Sequence, residues 1–338
     1  MITQLRTLGL MTAVVACASA LAIPASVEAS PWTLPQGALT VSTSTDFQYA
    51  TDEFLINGDH QPFPLDGRFF SMNVRAGVRY GLTDRTEIGT SLAASYVGYF
   101  SDPAYLGDIF TTEVGDEGSV ERFRSNIASF NRTAGGVGDL RLFLRQRFTP
   151  VRRFVAAGEI VLKLPTGYTD PEGTFEQDDP SRGINDDVTL GDGQTDIDAK
   201  ILLGWVPVND WFLRLDAGYR IRTGGPGHQA IGAFKTGYRI SDLVLPYVGV
   251  DGEYTVFDGS TVGQTFVAID ADVPASEFTA DNVETVDLRL DRDWVRPSVG
   301  MIFALGGRDI DLSYGYVVWG RNVAQTHVFS LGTTFSIF

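Results

Sequence analysis

The chain has 338 residues with 42 acidic and 26 basic side chains, a formal net charge of −16. That balance excludes a nucleic-acid partner, since phosphate binding needs a clustered basic surface. Mean hydropathy is +0.01, and past residue 30 no run of about 18 apolar residues occurs, which excludes a helical membrane protein. A membrane barrel is not excluded, because its strands alternate polar and apolar residues and average to neutrality.

The chain opens with an address. Arg6 supplies a positive start, Leu8 to Ala22 is apolar or small, and Val27-Glu28-Ala29 offers an A-x-A-like cleavage site before Ser30. Residues 1–29 therefore read as a cleaved secretory signal peptide and 30–338 as one outer-membrane β-barrel domain. Val14-Val15-Ala16-Cys17 has the form of a lipoprotein processing box, but the apolar run continues from Ala18 to Ile23, where a lipoprotein turns polar. Cys17 is the only cysteine, so the mature chain carries no disulfide and no thiol chemistry.

Past Ser30 the pattern has a period of two. Leu39, Val41, Thr43, Thr45, Phe47 and Tyr49 alternate with more polar neighbours, as do Met72 to Tyr80 and Trp211 to Ile221. Alternation this long means strands whose two faces meet different solvents, at the length of about 9–11 residues that spans a membrane. In chain order the expected strands are 37–49, 68–80, 86–100, 137–148, 154–164, 195–206, 211–222, 230–239, 244–254, 294–304, 309–319 and 326–338. The eighth has poor contrast between its faces, and the ninth contains Pro246, which costs a ladder hydrogen bond. Connections alternate in length. Gly81–Arg85, Thr149–Arg153, Pro207–Asp210, Ile240–Asp242 and Leu305–Arg308 are short, and the segments 50–67, 101–136, 165–194, 223–229, 255–293 and 320–325 lie between them. Short periplasmic turns and longer external loops are the habit of outer-membrane barrels. The expected fold is all-β, an antiparallel up-and-down transmembrane barrel of about 12 strands.

Aromatic residues register with that pattern. Tyr80, Phe148, Phe154, Trp205, Trp211, Tyr238 and Phe303 fall on the outward parity beside short turns; Phe47, Tyr49, Phe70, Tyr96, Phe100, Tyr254 and Tyr316 fall at the opposite ends. Two aromatic girdles at two membrane interfaces account for this. The expected location is the bacterial outer membrane. The expected surroundings are outer-membrane lipid and lipopolysaccharide, with the barrel-assembly machinery as a partner.

Several segments resemble a known family. Leu34-Pro35-Gln36-Gly37 opens the first strand, and Tyr80-Gly81-Leu82-Thr83-Asp84-Arg85-Thr86-Glu87-Ile88-Gly89 forms the first turn. Gly136-Val137-Gly138-Asp139-Leu140 opens the fourth strand, and Leu164-Pro165-Thr166-Gly167 leaves the fifth. In this order and spacing they are similar to the outer-membrane barrel family named after the MetA pathway of phenol degradation, whose members are described as transporters. The resemblance covers most of the mature chain and implies passage of small hydrophobic or aromatic solutes. One departure concerns the terminal assembly signal. Phe338 is preceded on its own parity by Ser336, Thr334 and Gly332, while Phe329, Leu331, Phe335 and Ile337 lie on the other.

The inward parity carries charge. Candidate lumen-lining residues are Asp46, Arg75, Arg79, Glu87, Arg141, Arg145, Glu159, Lys163, Arg214, Asp216 and Arg220, with Arg147, Lys200, Arg222, Asp139, Asp196, Asp198, Asp251, Glu253, Asp309 and Asp311 on the same faces. Such charge has two readings, cross-lumen ion pairs that brace the interior or a constriction that selects solutes. A catalytic site is not expected: His60, His228 and His327 are the only histidines, no G-x-S-x-G elbow occurs, and Ser330 points away from His327 on a strand. No cofactor and no metal site are expected either. The acidic 165–194 segment (Asp170, Glu172, Glu176, Asp178, Asp179, Asp186, Asp187, Asp192) lacks the spacing of a calcium loop. The reading is a passive conduit for small solutes; its rival is a closed structural barrel that binds partners through its external loops.

Overall fold

The computed structural model describes residues 31–102, 104–105, 127–128, 132–150, 153–167, 193–208, 210–260, 263–268, 273–274, 277, 283–288, 291–305 and 308–337. Twelve long strands dominate it: β1 (Leu39–Ala50), β2 (Arg68–Thr83), β3 (Thr86–Phe100), β4 (Arg132–Arg147), β5 (Phe154–Leu164), β6 (Asp196–Trp205), β7 (Trp211–Arg222), β8 (His228–Tyr238), β9 (Val244–Phe257), β10 (Asp293–Ala304), β11 (Arg308–Tyr316) and β12 (His327–Ile337). Each pairs antiparallel with its sequence neighbours, and β12 returns to β1 with Ile337 opposite Leu39. The sheet is a closed meander with no free edge. Among the described residues no helix is long and apolar enough to cross a membrane.

Alternation becomes inside and outside. In β1 Ser44, Asp46 and Gln48 are buried while Phe47 and Tyr49 are exposed. The same exchange in β5 buries Val155, Ala157, Glu159 and Lys163 and exposes Phe154 and Ile160. Water-facing and oil-facing residues are inverted relative to a soluble protein, and closure satisfies the backbone groups that lipid could not. The short turns are locally encoded: Thr83 Oγ1 accepts from the backbone N–H of Arg85 and Thr86 at 3.1 and 3.0 Å, closing the β2–β3 turn.

Observed strands differ from the expected spans mainly at the long-loop end. β4 begins at Arg132 rather than residue 137, and β8 and β9 run from His228 and to Phe257, so both strands of uncertain pattern are full staves. Pro246 sits within the β9 ladder opposite Met301. β11 stops at Tyr316 rather than 319, because Val317 turns into an apolar cluster with Phe54, Trp294 and Val323. The chain then pairs Trp319–Arg321 back onto β10. Beyond the barrel rim, Asp52–Phe54, His60–Pro62 and Val323–Ala324 form a three-stranded sheet. Gly263–Ala268 pairs with Val283–Leu288 within the long β9–β10 connection.

Candidate functional site in the barrel lumen

One half of the inner wall is a ladder of alternating charge. Arg79 on β2 donates from Nε to Glu87 Oε1 at 2.9 Å and from Nη2 to Oε2 at 3.1 Å. Arg145 on β4 lies directly opposite Glu87 on β3 and opposite Glu159 on β5. Its Nη1 donates to Glu87 at 3.0 Å and its Nε to Glu159 Oε2 at 2.9 Å. Lys200 on β6 reaches Glu159 at 3.3 Å and Asp198 at 3.7 Å. Arg220 on β7 holds Asp198 at 2.8 Å and Glu253 of β9 at 2.8 Å, and Arg292 closes on Glu253 at 3.4 Å. Toward the long-loop end Lys163 bridges Asp139 and Asp196 at 3.6 and 2.7 Å, and Arg141, half-buried, stands opposite Lys163 in the β4–β5 register. In each of these ion pairs opposite charges lie side by side, the condition under which buried ions persist.

The other half of the wall carries charge as well. Arg214 and Asp216 bond each other along β7. Asp46 accepts from Ser330 Oγ at 2.6 Å, and Arg75 is buried two strand steps from Asn73 on the same face. Arg296 donates from Nη2 to Asp251 Oδ2 at 2.6 Å, and Tyr247 Oη donates to Asp311 Oδ1 at 2.7 Å. Lys235 holds its ammonium 3.9 Å from the centre of the Tyr247 ring. These groups surround a recess in the inner wall, lined also by Ser298, Ser313 and Ser330. Lys235, Tyr247 and Arg296 were not among the sequence candidates.

The segment before β1 lies inside the barrel at the short-turn end. Leu34 N–H donates to Glu87 Oε2 at 2.9 Å, and Arg147 Nε donates to Thr33 Oγ1 at 3.1 Å. Both partners are on inward faces of β3 and β4. On β6, Pro31 Cγ and the Trp32 ring come within 2.6 Å of where a side chain on Gly204 would place its Cβ. Only glycine leaves room there. Residues 31–36 thus cross from the start of β1 toward β6 over the charged ladder; sequence alone suggested no such path, since Leu34-Pro35-Gln36-Gly37 looks like a lead-in to a strand.

On the outer surface Tyr80, Phe148, Phe154, Trp205, Trp211 and Tyr238 are exposed and Phe303 is half-exposed. Trp205 stands opposite Phe154, and Trp211 opposite Tyr238, in pairs beside the short turns. The histidines are dispersed: His60 bonds Gln325 at 2.8 Å, His327 bonds Tyr314 Oη at 2.8 Å, and His228 packs on Tyr219. Apart from its ends, the acidic 165–194 segment lies outside the described residues, and among those described no group of three or more His, Cys, Asp or Glu could hold a metal. In the external sheet Glu53 is buried, and that burial pushes its carboxyl up to about 8 despite a 3.2 Å bond from Gln61 Nε2.

No family model matches the chain, and no curated protein matches it. Among solved structures, the COG4313 outer membrane channel from Pseudomonas putida F1 is similar in fold, with a TM-score of 0.60 at 13% identity over 93% of this chain and 99% of that one. The translocator domain of the autotransporter NalP from Neisseria meningitidis gives a TM-score of 0.42 at 11% identity, over 89% of each chain.

Proposed function

We propose that the chain is an outer-membrane barrel that lets small organic solutes pass passively between the cell exterior and the periplasm. The observation that carries this reading is a closed twelve-strand barrel, apolar outside and charged inside, that still keeps an open recess along one inner wall. A wall built to be filled would pack that recess with side chains, as smaller barrels do. The likeness in fold to a channel agrees with it. On this reading residues 1–29 are removed on export, and Trp205, Trp211 and their aromatic neighbours sit at the periplasmic interface of the membrane. The lumen charges named above would line the route and, through the ladder, hold it open. The fold's assembly would use the barrel-assembly machinery and lipopolysaccharide would surround its outer rim.

The rival reading, a closed barrel working through its external loops, draws on one observation: residues 31–36 cross the short-turn mouth. Reconstitution in a planar bilayer separates the two. Discrete conductance steps support the conduit; silent membranes containing correctly folded, heat-modifiable protein overturn it and favour the closed barrel.

A further inference from the structure

We propose that the recess on the β7–β12 wall is a binding station for the carboxylate of a small organic acid. The identity of the recess as part of a solute route rests on the conduit reading; binding itself does not. Its lining carries three cations, Arg214, Lys235 and Arg296, against one carboxylate, Asp251. Arg214 is engaged by Asp216. The other two cations retain donor capacity.

Arg296 gives Nε and Nη2 to Asp251 at 3.3 and 2.6 Å, yet its Nη1, on a side chain 4% exposed, meets no protein acceptor. A buried guanidinium edge without an acceptor costs stability unless something supplies one. Lys235 lies over the Tyr247 ring and takes part in no ion pair among the described residues. A ring face attracts the ammonium without consuming its three hydrogen-bond donors. Tyr247 is itself fixed: its hydroxyl is held by Asp311, and its ring lies over Gly300, where a Cβ would come within 2.4 Å of it. Lys235 is therefore aimed by a rigid platform rather than by a carboxylate partner.

The chemistry selects a monoanion. Lys235 offers charged donors to a carboxylate, the arrangement that gives the stronger, charge-assisted bonds, and Arg214 and Arg296 add positive charge to the same wall. Asp251 and Asp311 beside them oppose a dianion such as phosphate or sulfate, since each added negative charge faces an existing one. The serine hydroxyls and the small residues of the wall face the body of the solute.

The test uses purified, folded full-length protein in detergent, titrated calorimetrically with benzoate and with benzyl alcohol as its neutral counterpart. Benzoate should bind and benzyl alcohol should bind more weakly. Lys235→Gln should weaken benzoate by about tenfold or more, the scale of one charged hydrogen bond, without changing benzyl alcohol. Arg296→Gln should do the same, but it also unpairs Asp251, so Lys235→Gln carries the decision. Equal affinity for the two probes, or benzoate binding indifferent to Lys235→Gln, overturns the station. The same preparations in bilayers keep the two readings apart. Benzoate binding by a silent barrel retains the station and discards the conduit, whereas an open channel without benzoate preference does the reverse.

Discussion

Arg145 and Glu87 face each other directly across β4 and β3, their charged atoms 3.0 Å apart and both side chains at 0% exposure. The same guanidinium holds Glu159 on its other side, so one cation serves two carboxylates on adjacent strands. Arg79 and Lys200 supply the remaining positive charge. The ladder therefore ties five consecutive staves, and its centre is the residue least able to be lost.

Arg145→Met should accordingly lower stability by about 3–5 kcal/mol, the cost of breaking buried ion pairs by removing one partner. Urea unfolding in detergent or lipid measures it. Adding Glu87→Gln to that variant should cost less than the two single losses summed, because both changes remove the same Arg145–Glu87 bond. Additive losses in the double mutant would mean that the two side chains do not act as a pair.

The outer face offers a second check. Trp205 and Trp211 flank the β6–β7 turn and are 50% and 42% exposed, with Trp211 Nε1 donating to Thr236 Oγ1 at 2.8 Å. A tryptophan with an apolar body and a bonded N–H suits the headgroup boundary. Brominated lipid should quench their emission most when bromine lies near the headgroup. Quenching by aqueous iodide alone would place that turn away from the membrane.

Glu53 gives a pH dependence confined to the external sheet. Folding raises its carboxyl from 4.5 to about 8, because burial opposes the charged form. Oε2 has no hydrogen-bond partner, and Asp52, Asp59, His60 and Arg321 are charged or titratable groups of the sheet and its flank. The ordered state holds a proton that the opened state releases between those two values. Order is therefore fullest below about pH 4.5 and falls toward pH 8, by up to about 1.4 kcal/mol per pH unit, and levels off above. Amide exchange across residues 52–62, normalised to unstructured rates, should lose protection over that window. Glu53→Gln should flatten the response; an unchanged slope in that variant would assign it to another group.

The barrel itself was legible because lipid outside and charge inside impose a strict period of two, as Phe47 and Tyr49 against Asp46 and Gln48 illustrate. Strand ends were less so. Val317 leaves β11 early to fill a cluster assembled from three other segments, a tertiary preference that no local pattern carries. Alternation also marks which side chains share a charged face, while their meeting a solute is the proposal and no periodicity speaks to it. Alternation does not single out Lys235, because Ile231, Ala233 and Phe234 blur the two faces of β8, nor Arg296, because Val295 and Pro297 flank it. The inward path of Pro31 to Gln36 depends on Gly204, more than 160 positions away, and glycines there read only as strand composition.

That inward path yields the last prediction. Trp32 occupies space against Gly204, and the backbone of Leu34 is bonded to Glu87, so residues 31–36 obstruct the short-turn mouth without belonging to the strand ladder. Removing residues 31–34 from the mature chain costs the bond from Leu34, the bond to Thr33 from Arg147 and the bond Thr33 donates to the Asp84 carbonyl, but leaves every strand pairing of the barrel in place. Each is worth about 1 kcal/mol net, with more where Glu87 loses a donor, which a closed twelve-strand sheet should tolerate. Single-channel conductance of the truncated protein should therefore exceed that of the full mature chain at equal salt, with heat-modifiable folding retained. Trp32→Ala should give a smaller increase, since it removes the bulk against Gly204 and keeps the tether to Glu87. Conductance unchanged in both variants would place the narrowest point of the route elsewhere, at the recess or the long-loop end. A closed wild-type barrel that conducts only after truncation would instead make this segment its plug.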